Sequence, residues 1–343
     1  MQMPLVLAGV VLFGWRALLT LIAVMGLVEI AEQYRKRVRL GPATLEGAEQ
    51  ARRVRVESLM LGLLLPPSLL AWHLGEGDQS YIAFPLIGCA VLLYVGFRLV
   101  AGILDRPTSL AVLATIITLH GAFSPLMTPN AILLPTQFGM GDINDVVAMP
   151  DLPEGVARPD LTQIRDSNHD AITIRSVASE LSRISASSDT QQITRLIAFR
   201  LPELESVLIG TNPNFIGSAS GLVLVIVAAW GVGYSRRVDF SSLVFCLMSA
   251  YAAAVIWEVM MRPHVEWPVR LTLVHYQLLS GTPLFVAIFF AGRIGQVTLV
   301  RQRMMAVLSG VLMPILSGGV GWHVGPVVAV LVGMSWARAK EPD

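Results

Sequence analysis

Long apolar runs with very few charges restrict this chain more than any other feature of its sequence. A helix needs roughly 20 apolar residues to cross the hydrocarbon core of a bilayer. Only 14% of the 343 residues are charged, whereas a soluble domain carries about a quarter. The sequence therefore predicts an all-α polytopic membrane protein in a lipid bilayer and excludes a soluble enzyme, a disordered chain and a nucleic-acid binder. About nine runs qualify as transmembrane helices, near 5–30, 57–74, 81–104, 109–128, 217–235, 240–260, 269–291, 304–318 and 320–337.

One long polar segment divides the apolar runs into two groups. We predict a first transmembrane half at 1–128, a loop region at 129–205 and a second transmembrane half at 206–343. The loop region, called the central segment below, carries eleven acidic and six basic residues, and its proline-containing first part is irregular. Its second part has helical periodicity, and we expect its apolar faces to pack on the membrane domain or on a partner. One face is Val177, Leu181 and Ile184, and the other is Ile193, Leu196 and Ile197.

The distribution of arginine and lysine predicts how the chain is oriented in the membrane. Short cytoplasmic loops carry an excess of these residues, and the connection at 31–56 is the most basic one in the sequence. We therefore expect this connection and the C-terminus to be cytoplasmic and the central segment to be extracytoplasmic. Arg262 opposes this bias. The side of the N-terminus depends on whether residues 1–14 fold as a separate piece.

Two apolar runs are interrupted by proline and glycine. The breaks are Leu65-Pro66-Pro67-Ser68 in the first half and Ser280-Gly281-Thr282-Pro283 in the second half. Unwound turns free backbone N–H groups, and a half-helix that begins there favours anionic or electron-rich ligands. Paired interruptions of this kind indicate binding sites in membrane transport proteins. The alternative is that each proline only kinks a helix and shapes its packing.

A third stretch, from Gly210 to Ser220, is rich in small and hydroxylated residues and precedes a predicted helix. Gly217, Ser218 and Ser220 would allow a helix to begin close to a ligand. The alternative is that the two serines cap the helix where it enters the membrane.

Titratable residues in the apolar runs are few. His120, His275 and His323 are isolated in the sequence, which favours hydrogen-bonded packing residues over metal ligands. We predict no metal site and no catalytic residue. Glu258 is the most plausible intramembrane acid, although a side chain that snorkels from a helix end is the favoured interpretation. Both cysteines lie in apolar runs and are interpreted as packing residues.

Three stretches taken together resemble a known family. Residues 59–72 read LMLGLLLPPSLLAW, and residues 278–293 read LLSGTPLFVAIFFAGR. With 210–222 between them, they are similar in order and spacing to the RnfD/NqrB family, the flavin-carrying membrane subunit shared by two bacterial respiratory complexes. These complexes are the Rnf ferredoxin:NAD oxidoreductase and the sodium-pumping NADH:quinone oxidoreductase (Nqr). The resemblance implies a multi-pass protein of the bacterial inner membrane, with the other subunits of a membrane redox complex as partners.

The resemblance also implies a flavin. In the family, FMN is joined through its phosphate to a threonine in an Asp-x-x-Ser/Thr-Gly-Ala-Thr motif, and 170–176 reads DAITIRS here. Ile174 and Arg175 replace the small Gly-Ala pair, and Ser176 replaces the acceptor threonine. These replacements favour FMN that is bound without a covalent link, with riboflavin as the alternative. The predicted cofactor contacts are Thr173, Ser176, Gly217, Ser218, Ser220, Ser280, Gly281 and Thr282.

We therefore expect a subunit that holds a flavin and relays electrons across or along the membrane. The family's acids in two of the stretches are replaced by Ala219 and by Gly292-Arg293, which weakens a role in cation transport. Two alternatives remain open. One is a cofactor-less subunit that serves the assembly of such a complex. The other is a channel or transporter for a small solute, because interrupted helices in two halves also suit that class.

Overall fold

A computed structural model describes most of the two apolar halves and part of the central segment. Outside single positions between 177 and 201, the described residues are 2–13, 15–38, 47–66, 83–104, 108–127, 131–133, 172–174, 204–209, 215–218, 220–234, 238–280, 282–292 and 298–338. Almost all of them are helical, and the predicted all-α membrane fold is confirmed. The first half contains α1 (Met3–Phe13), α2 (Trp15–Val38), α3 (Gly47–Leu63), α4 (Ala83–Ile103) and α5 (Ser109–Met127).

The central segment and the second half follow in chain order. Two short strands, β1 (Ala131–Leu133) and β2 (Ile172–Ile174), pair antiparallel. The helices are α6 (Leu204–Ile209), α7 (Gly221–Gly233), α8 (Phe240–Met261), α9 (Trp267–Leu279), α10 (Thr282–Val286), α11 (Leu299–Val320) and α12 (Gly325–Arg338). A 3₁₀ turn at Ile216–Ser218 precedes α7, and a single π-helical turn at Ala287–Ala291 extends α10.

Four helices of the described residues are long and apolar enough to cross a membrane, and a fifth span results if α9 and α10 are counted together. The four are Ala17–Arg35, Leu86–Ile103, Phe240–Met261 and Leu299–Val320. Shorter apolar helices lie at Met3–Leu12, Ser109–Phe123, Gly221–Gly233 and Gly325–Trp336. The chain is therefore a multi-pass membrane protein by length and composition.

Two predicted spans differ in their bounds from the helices described. The run 5–30 corresponds to α1, which ends at Phe13, and α2, which begins at Trp15. α1 packs on the 3₁₀ turn, where a Cβ on Gly9 would lie 2.5 Å from Ile216 Cγ2. The run 57–74 also differs, since α3 begins at Gly47 within the basic connection and ends at Leu63. Apolar content alone could not locate these ends, because helix ends depend on capping and on tertiary contacts.

Buried residues of both halves form one continuous apolar core. It includes Leu61, Ile87 and Ile116 from the first half and Phe285 and Val327 from the second half. Within the second half, Gly310 of α11 lies so close to Cys246 of α8 that a Cβ at that glycine would overlap its backbone. Small residues allow this close approach of two membrane helices. The predicted packing role of Cys246 is confirmed.

Candidate functional site

Three interrupted segments that are far apart in the sequence meet in the structure. α3 gives way to a turn at 64–66, and the backbone N–H of Ile216 donates to the carbonyl of Leu65 at 3.3 Å. α9 ends at Leu279, and α10 begins at Thr282, with a bend of 50° between the two helices. We call the meeting of residues 63–66, 215–218 and 282–285 the junction. The predicted breaks coincide with the end of α3 at Leu63 and with the bend between α9 and α10, while Pro67, Ser68 and Gly281 lie outside the described residues.

Gly217 is the closest point of the junction. A Cβ at this position would lie 2.7 Å from Leu63 Cβ and 2.7 Å from Phe285 Cε2. Such distances are shorter than any van der Waals contact between carbon atoms. Gly217 is therefore a packing residue that lets the 3₁₀ turn fit between the end of α3 and α10. Phe285 also stacks on Phe289, with 4.8 Å between ring centroids.

Two histidines from different halves lie beside the junction. The ring centroid of His323, in the turn between α11 and α12, is 5.7 Å from that of Phe215 and 6.4 Å from that of His120 in α5. The sequence alone gives no sign that His120 and His323 are neighbours. No local pattern connects residues in different halves, so only the tertiary structure could reveal this proximity. Groups of three or more metal-ligating side chains are absent from the described residues.

The hydroxyl groups at the junction differ in their hydrogen bonding. Ser220 is the N-cap of α7, because its Oγ accepts from the N–H of Val223 at 3.3 Å. Ser280 Oγ donates to the carbonyl of Gln277 at 3.0 Å. Thr282 is fully buried, and its Oγ1 has no hydrogen-bond partner in the described part of the chain. A buried hydroxyl group without a partner costs about 1–3 kcal/mol, so Thr282 is a polar group at the junction whose hydrogen-bonding capacity the described residues leave unused.

The other predicted cofactor contacts lie in several parts of the structure. Ser218 is buried in the 3₁₀ turn, and its Oγ donates to the carbonyl of Phe215 at 3.4 Å. Thr173 lies in β2 opposite Ile132 of β1. Ser176 and Gly281 lie outside the described residues. The structure thus brings Gly217 and Ser218 to the helix that Thr282 begins, and it assigns Ser220 to capping, as the alternative interpretation predicted.

A buried ionic network in the first half was missed at the sequence level. Glu57 of α3 accepts a hydrogen bond from Tyr94 at 2.7 Å and another from Thr108. Arg98 of α4 lies between two carboxylates, 3.2 Å from Glu32 and 3.6 Å from Glu57. We call this the Glu57 network, and its members are Glu32, Arg35, Glu57, Tyr94, Arg98 and Thr108.

A second polar cluster corrects the interpretation of Glu258. Its side chain is 1% exposed and does not snorkel. Arg262, one turn later in the chain, forms an ion pair with it, and Gln277 Nε2 donates to Glu258 Oε1 at 2.5 Å. Glu258, Arg262 and Gln277 form the Glu258 cluster. A buried charge is strongly disfavoured without a partner, which is why Glu258 lies against an arginine.

The junction fits a flavin only in part. An aromatic ring needs about 3.5 Å of clearance on each face, and the 2.7 Å distances at Gly217 leave no space for an isoalloxazine there. Thr282 offers the matching chemistry, because a hydroxyl group without a partner among the described residues can donate to or accept from a ring heteroatom. Any flavin at the junction would therefore contact Thr282 and not Gly217.

Comparison with known proteins gives one informative match. No curated protein matches this chain. A family model, described as the NQR2, RnfD, RnfE family, matches residues 1–337. Because this match covers nearly the whole chain, the protein belongs to the NQR2, RnfD, RnfE family.

Proposed function

We propose that this chain holds a flavin and relays electrons between other subunits of its complex. Family membership makes it a membrane subunit of an Rnf/Nqr-type complex, with other subunits as partners. A flavin would supply the electron transfer, and the protein would position it and exclude water. The observation that carries the proposal is Thr282, a fully buried hydroxyl group without a partner in the described part of the chain. It stands where a half-helix begins at an interruption, which is a favoured place for a ligand.

The proposal assigns Thr282 and Ser280 to the membrane side of the cofactor and Thr173 with Ser176 to its phosphate. FMN without a covalent link remains the favoured form, with riboflavin as the alternative. The three buried carboxylates of the described residues support no cation site, because Glu32, Glu57 and Glu258 each lie within 4 Å of an arginine. We therefore leave cation transport to the complex as a whole.

The proposed location is the bacterial inner membrane, with the central segment extracytoplasmic and the C-terminus cytoplasmic. Arg262 opposes the arginine bias in the sequence, but it is buried against Glu258. Fusion of alkaline phosphatase within 134–150 should give an active enzyme, and fusion after residue 338 should give an inactive one. The reverse pattern would refute this orientation.

The decisive experiment measures flavin in the purified protein. We expect the chain, co-expressed with a bacterial flavin transferase, to release flavin on acid extraction. A fluorescent band on a denaturing gel under ultraviolet light would instead show a covalent link, and S176A should then abolish the band while S187A keeps it.

T282V should lower the flavin content about tenfold, as expected from the loss of one hydrogen bond. The matched control is T118V, since Thr118 donates only to the carbonyl of Ala114 in its own helix.

A cofactor-less subunit is the second candidate, and the tight packing at Gly217 favours it. Under this alternative the junction only joins the two halves. The protein would then purify with redox subunits but without flavin in either fraction. That result would end the redox proposal and support the assembly role.

A further inference from the structure

The Glu258 cluster contacts the central segment as well as the membrane helices. Arg262 uses one terminal nitrogen for Glu258, while its Nη2 donates to the carbonyl of Ile184 at 3.2 Å. Ile184 is far from Arg262 in the sequence and belongs to the helical part of the central segment. A single guanidinium therefore connects the end of α8 to that segment.

The geometry of the guanidinium suits this connection. Its donors lie in one rigid plane, so the ion pair with Glu258 fixes the direction of the remaining donor. Gln277 holds the other oxygen of the Glu258 carboxylate at 2.5 Å. The three side chains are buried, and water cannot compete for the carbonyl of Ile184.

Apolar side chains surround the hydrogen bond between Arg262 and the carbonyl of Ile184. The predicted face of the central segment lies on the second half, and it forms a core that is separate from the main one. The buried members of this core are Val177, Leu181, Ile184, Ile193, Leu201, Val207, Val265, Leu273, Tyr276 and Trp322. Apolar contacts have no direction, whereas a hydrogen bond to one carbonyl selects one alignment of the segment.

We propose that Arg262 is a positioning residue that fixes the alignment of the central segment on the second half. The consequence extends to Thr173, which precedes the docked Val177 by four residues. A chain of four residues spans at most about 14 Å, so docking at Val177 restricts where Thr173 can lie. This last step rests on the proposed function, because it assigns the neighbourhood of Thr173 to the flavin phosphate. The docking itself does not depend on a flavin.

Limited trypsin digestion of the full chain in detergent tests the docking. Pro263 follows position 262, so that position is not a cleavage site whether it holds arginine or lysine. The cleavable arginines of the central segment are Arg165, Arg175, Arg183, Arg195 and Arg200. Two variants separate docking from folding. R262K keeps the charge next to Glu258 but lacks the planar fork, and E258Q/R262M removes both charges without leaving either one buried alone.

We expect both variants to increase cleavage after Arg175 and Arg183 about tenfold, with thermal unfolding of the membrane domain close to that of the wild type. R270A is the matched control, because Arg270 lies on the next helix and donates to the carbonyl of Pro263. It should leave the cleavage rate unchanged. Wild-type cleavage rates in both variants would overturn the proposal. Faster cleavage accompanied by an equal loss of thermal stability would also overturn it, since that pattern indicates general loosening. Absence of flavin would refute the proposed function and leave this result intact.

Discussion

The Glu57 network and the Glu258 cluster both bury carboxylates against arginines, but they connect different parts of the molecule. The first joins three helices of the first half, since Glu32, Glu57 and Arg98 lie in α2, α3 and α4. The second has its ion pair within one helix, and its long-range contacts are the bonds from Gln277 to Glu258 and from Arg262 to Ile184. The comparison teaches that the function of an ion pair depends on what else its partners contact. The Glu57 network holds helices together, and the Glu258 cluster docks a segment.

The largest expected effect is the loss of stability in E57A. A small loss would contradict the view that the Glu57 network holds helices together while the Glu258 cluster docks a segment. The substitution leaves Arg98 buried with Glu32 as its remaining carboxylate and removes the acceptor of Tyr94. Removing one partner of a buried ion pair costs about 3–5 kcal/mol, and we expect about 3 because Glu32 remains. Thermal unfolding in detergent measures the loss. E29A is the control, because the Glu29–Arg55 pair is separated by 3.8 Å and exposed, which predicts below about 1 kcal/mol.

A substitution at the junction measures how much packing contributes to stability at a place where no charged group is involved, for comparison with the two ionic clusters. G217A places a methyl group 2.7 Å from Leu63 and Phe285, and overpacking of this kind costs about 1–3 kcal/mol. The rate of trypsin cleavage in the central segment should stay at its wild-type value. G88A is the control, since a Cβ at Gly88 meets nothing within 4 Å. It should leave stability unchanged or raise it by up to about 1 kcal/mol. Equal destabilisation by both variants would contradict the assigned contact.

Removing one donor from Glu258 should have a smaller effect than removing Glu57. Q277A deletes the hydrogen bond to Glu258 Oε1, while the ion pair with Arg262 remains. We expect a loss of about 1.5 kcal/mol, typical for a hydrogen bond to a charged group. Trypsin cleavage of the central segment should also rise, by more than the loss of thermal stability accounts for, because the Glu258 carboxylate then holds Arg262 less firmly. Q33A, at an exposed position of α2, should change neither measurement. Unchanged unfolding and cleavage in Q277A would count against the role of the cluster.

A partly buried carboxylate gives the smallest effect and the clearest pH dependence. Asp239 is the N-cap of α8 and accepts from the N–H of Ser242 at 2.9 Å. Burial alone would raise the pKa of Asp239, but hydrogen bonds from Ser242 and Ser241 and the nearby Arg303 lower it below its usual 3.8. A lowered pKa in the folded state means that the stabilisation is present above the unfolded value and disappears as the pH falls through the folded value. D239A should cost about 1 kcal/mol at neutral pH.

D239N separates capping from charge. The amide oxygen still caps α8, but the variant cannot titrate. Its unfolding temperature relative to the wild type should therefore be lowest near neutral pH and should approach that of the wild type below about pH 4. A difference that stays constant down to about pH 3 would contradict the contribution of the carboxylate charge.

Several features of the fold could be predicted from local sequence. The apolar runs predicted the membrane class, and the interruptions near Pro66 and Pro283 predicted where α3 ends and where α9 gives way to α10. Periodicity predicted the apolar face of the central segment. These signals are local, because helix formation and helix interruption depend on a few neighbouring residues.

Contacts between distant residues could not be predicted in the same way. The sequence suggested that Glu258 snorkels, because the burial of its pair with Arg262 and its bond from Gln277 are recognisable only when α8 and α9 are packed together. The meeting of His120 with His323, and the contact of Gly217 with both Leu63 and Phe285, join residues from different halves. A single sequence lists the side chains, but inspection of it does not reveal which distant side chains become neighbours in the fold.

The sequence by itself determined that this chain lies in a membrane as a bundle of interrupted helices, since too few charged residues are present to surround a soluble core. The tertiary structure alone decided which buried charges are paired and which hydroxyl groups of the described residues are left without a partner. The physical reason is that burial makes a polar group costly unless another group satisfies it, and folding determines which groups come close enough to do so.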